Sequence, residues 1–310
     1  MAYQPETLKY FALALDPIHV GTGGMRLGRV DMTIMREPGT NLPKIPGTSI
    51  SGACRTYAAM QEDGKFPRCA GQGQPDTARS YQGHCGEHNC PICVTFGFAK
   101  GTGGSFQGLA QFSDARLVFF PVHSLAGPVW VTCPDVLKAL EAWQDGAQEP
   151  EDEQVHVASG RLNLGWLMLD VAGNDFAPDA SKFHGVPQEI LNRAVLVSDK
   201  MFGHIVNDNL EVRTSVSIKP QTGAAAEGAL FTYEALPRGS VLAFDVIVTR
   251  PGFYTIKGQR PLAKAEDPMG AVCETVRKGL DLMALLGVGG MNTRGTGRLR
   301  VSRRTDGGRT

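Results

Sequence analysis

The stretch HVGTGGMRLGRVDMTIMREPGTNLPKIPGTSISGACR, residues 19–55, decides how this chain is read. Before it, LKYFALALDPIHV (8–20) reads as a buried first strand. A loop from Gly21 to Pro46 follows, thick with glycine and carrying a single aspartate, Asp31. Lys44-Ile45-Pro46-Gly47 then forms a turn that opens a helix. Thr48 or Ser49 is placed to N-cap that helix, which runs to about Gln61. Taken by itself, Asp31 is what any turn offers: a short polar side chain that bonds its own backbone. Clustered glycine points to unusual backbone angles or to close approach of a ligand.

Outward from that loop the order alternates between α and β. Residues 64–105 have little apolar periodicity and hold four of the seven cysteines. LAQFSDARLVFFPV, from Leu109, and VWVTC (129–133) read as strands, and Pro134 suits the first position of helix PDVLKALEAW. AQEPEDEQ (147–154) is an acidic loop, and LGWLMLD (164–170) is a short strand. PQEILNRAVLV, from Pro187, is expected to be helical. Residues 200–228 are polar, with an alternating RTSVSI that predicts a protruding hairpin. SVLAFDVIVTR is a strand. MGAVCETVRKGLDLMALLG, from Met269, is the clearest amphipathic helix, with Gly287 as its C-cap. This order suits an α+β, ferredoxin-like sheet elaborated by insertions.

Cys69, Cys85, Cys90 and Cys93 are spaced C-x15-C-x4-C-x2-C. In a reducing compartment that set predicts structural, tetrahedral Zn2+ without an open position. A loop this polar buries too little surface to order itself, and a metal supplies the missing free energy. His84 and His88 flank the middle cysteines and could replace one thiolate. Cys54, Cys133 and Cys273 fall in helix or strand patterns and read as core thiols.

GVGGMNTRGTGRLR, near the C-terminus, has neither a dinucleotide fingerprint nor a P-loop, and it follows a helix instead of preceding one. Its backbone amides with Arg294 and Arg298 could cradle phosphate, or the glycines could simply serve a tight turn.

Composition bounds the function. The 310 residues carry 31 Lys and Arg against 31 Asp and Glu, a net charge of zero. That argues against a free-standing, nonspecific nucleic-acid binder, while allowing a local basic groove inside an assembly. No apolar run reaches the roughly 20 residues of a membrane span, and no signal peptide is read, so a cytoplasmic protein without a membrane partner is expected.

Four runs occur in order: the loop HVGTGG…GRVDMTIMRE…LPKIPGTSISGACR, FSDARLVFFPVHSLAGPVWVTCP, GAAAEGALFTYEALPRGS and LLGVGGMNTRGTGRLRV. Together they resemble the RAMP superfamily of CRISPR proteins. More narrowly, they resemble the repeated backbone subunit of type III-B (Cmr) effector complexes. The cysteine cluster departs from the commonest form. The resemblance implies one RAMP domain over 1–310, an RRM/ferredoxin-like palm with a zinc-binding insertion at 64–105 and a thumb hairpin at 200–235. It implies a prokaryotic antiviral complex in which copies of the chain stack as a filament on guide CRISPR RNA beside other subunits. Complementary target RNA pairs with the guide and is cut at six-nucleotide intervals. Base pairing reads sequence, and protein holds the sugar-phosphate chain.

Under that resemblance Asp31, in the G-x-V-D motif, is the catalytic acid of a reaction that needs Mg2+ or Mn2+ and uses the 2′-hydroxyl of the RNA. An unperturbed carboxylate is a weak base at neutral pH, so metal binding or positioning is the easier role. Lys44, Thr48, Ser49 and Arg55 surround the helix N-terminus, a place suited to guide phosphate. Arg55 could equally pair with a nearby acid. Arg213 and Lys219 on the thumb are expected at RNA, with Met201 or Phe202 as a wedge. His19 is expected to be structural. The alternatives are a non-catalytic backbone, a guide-precursor processing RAMP endonuclease that relies on a histidine, and, apart from the resemblance, an unrelated zinc-stabilised RNA-binding module.

Overall fold

The structure is a computed structural model that describes all residues except 1, 2, 4, 24–29, 72–82, 102–103, 145–146, 153, 157–161, 172–175 and 305–310. The glycine-rich beginning of the loop, 24–29, therefore lies outside the described residues. The chain forms two compact units, each assembled from three segments. The first comprises Met1–Tyr10, Pro46–Asp114 and Phe244–Val288; the second comprises Phe11–Ile45, Ala115–Ala243 and Gly289–Thr310. The strands Glu6–Ala14 and Val241–Val248 each contribute residues to both. No helix among the described residues is long and apolar enough to cross a membrane.

In the second unit a mixed sheet is built around Ala115–Val122. It pairs antiparallel with Val129–Thr132, which runs parallel to Ala194–Val197. Beyond these lie Gln154–His156, Leu167–Val171 and Leu162–Leu164. The central strand ARLVFFPV is buried at six of its eight positions, as a sheet covered on both faces requires. Phe11, Phe119, Phe183 and Leu196 form its packed core with Trp130 and Trp143 against them. Residues 194–197, expected to continue a helix from Pro187, form a strand instead. Only Gln188–Leu191 is helical, because AVLV carries two β-branched valines and is fully buried between two neighbouring strands.

The predicted hairpin is present. A helix, Asp199–Asp208, is capped by Ser198, and then Glu211–Ile218 pairs antiparallel with Ala225–Ala235. Phe202 is completely buried in that helix, which leaves it no ring to wedge against a base; Met201 is half-buried.

The first unit holds the helices Gly47–Met60 and Pro268–Asp281. Their buried faces, Ile50, Cys54, Tyr57 and Ala58 on one and Val272, Val276, Gly279 and Leu280 on the other, follow the helical period. Asp267 caps the second helix by accepting from Met269 N and Gly270 N, with Pro268 at its first position. Gly287, at φ +77°, ends the short continuation Met283–Leu286, the C-cap read from sequence. Burial pushes the Cys54 thiol well above its ordinary range, as a core thiol requires.

The Ile-Pro-Gly turn is capped differently from expectation. Pro46 holds the N-cap position and no side chain of the helix caps it. Gly47 N donates instead to the Asp114 carboxylate at 2.8 Å, so Thr48 and Ser49 fall in the first turn. Gly47 is required by proximity, since a Cβ there would lie 2.4 Å from Phe112 O and 2.8 Å from Ser113 O. Gly47→Ala is expected to destabilise the chain by about 2 kcal/mol, the scale of overpacking against rigid backbone, measured as a lowered denaturant midpoint. An unchanged midpoint would show that the 112–113 backbone yields.

Candidate catalytic loop and cysteine centre

Residues 31–36 lie along the free edge of the hairpin strand Ala225–Ala235. Met32 N donates to Thr232 O at 3.1 Å and Glu234 N donates to Met32 O at 3.0 Å, a short parallel bridge. Asp31 sits at the start of this lacing, half-buried. Its Oδ2 accepts from Thr232 N at 2.7 Å and from Thr232 Oγ1 at 2.9 Å, while Asp31 N donates to the same hydroxyl at 3.1 Å. Oδ1 has no protein partner among the described residues. The Thr232 backbone N–H, then its hydroxyl, hold the Asp31 carboxyl below its usual range, so it is an anion at every physiological pH.

The loop behind Asp31 is held by side chains as well. Arg36 Nη1 meets Glu234 Oε2 at 3.0 Å and Arg36 Nε donates to Asn207 Oδ1 at 3.1 Å. Ile34 N donates to Glu234 Oε2 at 3.3 Å. A cleft of about 610 Å³ runs beside them, lined by Thr22, Thr33, Arg36, Asn41, Asn207 and Glu234. His19 is buried, with Nδ1 2.6 Å from Glu234 O and its ring edge-on to Tyr233. It has the structural setting expected of it.

The C-terminal glycine turn closes on the backbone that leaves the first strand. Gly290 N donates to His19 O, Gly297 N to Pro17 O and Leu15 N to Arg298 O. Gly289, at φ +88°, would carry a Cβ 2.4 Å from His19 O, so a tight turn accounts for it. Arg298 grips Asp16 in a fork, Nε to Oδ2 at 2.5 Å and Nη2 to Oδ1 at 2.9 Å. That bond, with the nearby charges of Arg238 and Arg213, holds the Asp16 carboxyl low. Arg213 and Arg298 are thus gathered from distant parts of the chain, and Arg238, not singled out from sequence, joins them. Arg213 also pairs with Glu211 at 2.5 Å. Arg294 is exposed and donates to Ser215 on the hairpin at 3.3 Å, and Lys219 stands exposed at the hairpin tip. Lys44 lies on a two-residue strand, opposite Arg116.

In the first unit Cys69, Cys85, Cys90 and Cys93 converge, all buried, their sulfurs within 4.8 Å of one another. Cys85 and Cys93 are 3.6 Å apart and Cys90 and Cys69 3.9 Å. A tetrahedral ion with bonds of about 2.3 Å requires sulfur separations of about 3.8 Å, so the four thiols fit a metal. Cys90 Sγ also accepts from Cys93 N, an orienting bond typical around a metal-binding thiolate. Hydrogen bonds from Cys69, Cys90 and Cys93 hold the Cys85 thiol far below its ordinary range, while the bond to Cys69 and others within the group push Cys93 up. Cys69 is likewise pulled down, to about 6, while Cys90 is pushed up with Cys93, so two thiols give up their protons readily and a cation is needed to release all four. Neither histidine joins the sulfur group. His84 Nε2 lies 3.2 Å from Gly71 O, and burial lowers its pKa.

Arg55, expected at the RNA surface, is instead buried. Its Nε donates to Cys69 O at 2.7 Å and its Nη1 to Gly97 O at 2.7 Å, which ties the helix Gly47–Met60 to the cysteine segment. The reason is local: carbonyls turned inward by the cysteine loop need a donor, and a guanidinium supplies several. Residues 64–105 are also less irregular than their composition implies. They contain the helix Pro91–Phe96 and the strands Phe98–Gly101 and Gly104–Phe106.

Residues 12–300 match the RAMP superfamily, and the chain belongs to it. It is 25% identical over 260 residues, 76% of this chain and 79% of the relative, to the CRISPR system Cmr endoribonuclease Cmr4 of Pyrococcus furiosus. Its fold is similar to that of a chain in a cryo-EM structure of the type III-B Cmr-beta complex bound to cognate target RNA. That likeness has a TM-score of 0.66 at 15% identity, over 98% of this chain and 99% of the other. Oligomeric Cmr4 from Pyrococcus furiosus is similar over 97% of this chain and all of its own, with a TM-score of 0.59 at 19% identity. At such identities the structural likeness speaks for the fold.

Proposed function

We propose that this chain is a backbone subunit of a type III CRISPR effector complex. In this reading it holds guide RNA, assembles with copies of itself and other subunits, and cuts complementary RNA at six-nucleotide intervals. The observation that carries the reading is Asp31, an anion clasped against the hairpin strand with one carboxylate oxygen left over among the described residues. Family membership and the likeness to a named endoribonuclease support it. The whole of 1–310 works as one RAMP module, with the insertion at 64–105 and the hairpin at 200–235 as its two elaborations.

Asp31 Oδ1 would supply one ligand to Mg2+ or Mn2+, with scissile phosphate and water completing the shell. Such an ion would supply charge stabilisation on the phosphate as the 2′-oxygen bonds to phosphorus and the 5′-oxygen leaves, the 2′-hydroxyl proton passing to water. Asp31 itself, held low, would position the cation and not take the proton. The exposed Arg294 and Lys219, together with the cluster of Arg213 and Arg298, face guide or target phosphate. Lys44, Thr48 and Ser49 contribute near the helix N-terminus, where Asp114 already satisfies Gly47 N and so narrows the space for a phosphate. The cysteine centre holds structural Zn2+. The setting is the cytoplasm of a prokaryotic cell.

A guide-precursor nuclease would need an accessible histidine, and the burial of His19 disfavours that reading. The test uses the assembled complex, loaded with guide, on end-labelled complementary RNA in Mg2+ or EDTA. A metal-dependent ladder at six-nucleotide spacing is expected. Tight binding without cleavage would leave a scaffold, and metal-independent cutting of repeat RNA would point to precursor processing.

A further inference from the structure

We propose that Thr232 is the positioning residue for Asp31, fixing which carboxylate oxygen faces the RNA. The inference rests on the reading of Asp31 as the catalytic acid. The geometry is reciprocal. Thr232 gives two donors to one oxygen, Oδ2, at 2.7 and 2.9 Å, and its hydroxyl accepts from Asp31 N at 3.1 Å. A carboxylate on a loop otherwise rotates freely about its last torsion, a broad and two-fold one. Two donors on the same oxygen restrict that freedom and leave Oδ1 without a hydrogen-bond donor among the described residues.

Thr232 also lies opposite Thr214 in the hairpin, with Met32 bridged to the next residue, Tyr233. The orientation of the carboxylate is therefore set by the hairpin strand and not by its own loop. An RNA-engaged hairpin would carry the carboxylate with it, which couples chemistry to the element that meets the duplex.

The test compares Thr232→Val, Thr232→Ser and Asp31→Asn in the guide-loaded complex. Valine keeps the branched shape and the backbone N–H, suits a strand and deletes only the hydroxyl. Losing an orienting partner of a metal-binding group typically costs 10–100-fold. Single-turnover cleavage by the valine variant is accordingly expected to slow by about 10–100-fold. Its half-saturating Mg2+ concentration should rise and its target affinity stay within about twofold, while the serine variant restores the rate to within about threefold. Should the valine chain fail to assemble, Thr232→Ala carries the same comparison against serine. Wild-type cleavage by the valine variant overturns the proposal. So does a serine variant as slow as valine, or a rate loss that tracks weakened target binding. An Asp31→Asn complex that cleaves normally would overturn the Asp31 reading itself, whereas an inactive Asn variant beside a normal valine variant would overturn the role of Thr232 alone.

Discussion

Asp31→Ala, in a guide-loaded complex, is expected to reduce target cleavage by about a hundredfold or more while target binding persists. The scale is that of several kcal/mol of charge stabilisation lost at the scissile phosphate. Binding persists because guide–target pairing, not this carboxylate, supplies the affinity. The pH dependence has a defined sign. Thr232 N–H and then its hydroxyl favour the charged form and depress the Asp31 pKa in the folded state. The carboxylate is thus present throughout the neutral range and is lost only as the pH falls below that of an ordinary aspartate. A rate that declines between pH 8 and pH 6 would have to come from another group, the 2′-hydroxyl or metal-bound water being the nearest chemistry. An Asp31→Ala complex that leaves the cleavage ladder intact would move catalysis elsewhere in the subunit.

Cys93→Ser is expected to have the largest effect on stability. Four buried sulfurs share one centre, and three thiolates hold a metal far less well than four. Metal binding at such sites is folding free energy, on the order of 10 kcal/mol in small domains. Part of that is lost in the serine variant. Thermal unfolding is expected to fall by about 10 °C or more, taking roughly 2–4 °C per kcal/mol for chains of this size. The wild-type chain is expected to yield one zinc ion per copy when its thiols are titrated with a mercurial. The same loss should loosen the helix Gly47–Met60, because Arg55 anchors that helix to the Cys69 and Gly97 carbonyls. A protein that contains no zinc, with the thermal midpoint of its serine variant unchanged, would leave the cysteines as packed core thiols only.

Elements governed by neighbours in the chain were legible from sequence. The helix from Met269 announced itself by the spacing of Val272, Val276, Gly279 and Leu280, and Gly287 marked its end. Cysteine spacing foretold which four thiols would meet, since that spacing in so polar a segment is the pattern of a metal site. The strand at 194–197 was not legible: a short apolar run reads equally as helix or strand until its neighbours are known. Arg55 carried a signal that pointed the wrong way, a cation near a helix N-terminus, because the carbonyls that claim it come from 14 and 42 residues on.

Residue type at fixed local spacing marked out the four thiols, and the resemblance of the ordered runs pointed to the family and, through it, to Asp31 as the candidate acid. Tertiary structure alone decided how Asp31 points, since its partner Thr232 lies 201 residues away. It also decided that Asp114 caps the helix after the Ile-Pro-Gly turn, and that Arg298 pairs with Asp16, whose carboxyl the charges of Arg238 and Arg213 help to hold low. A hydrogen bond fixes direction only when both partners are in place, and no local pattern specifies a partner that only folding brings near.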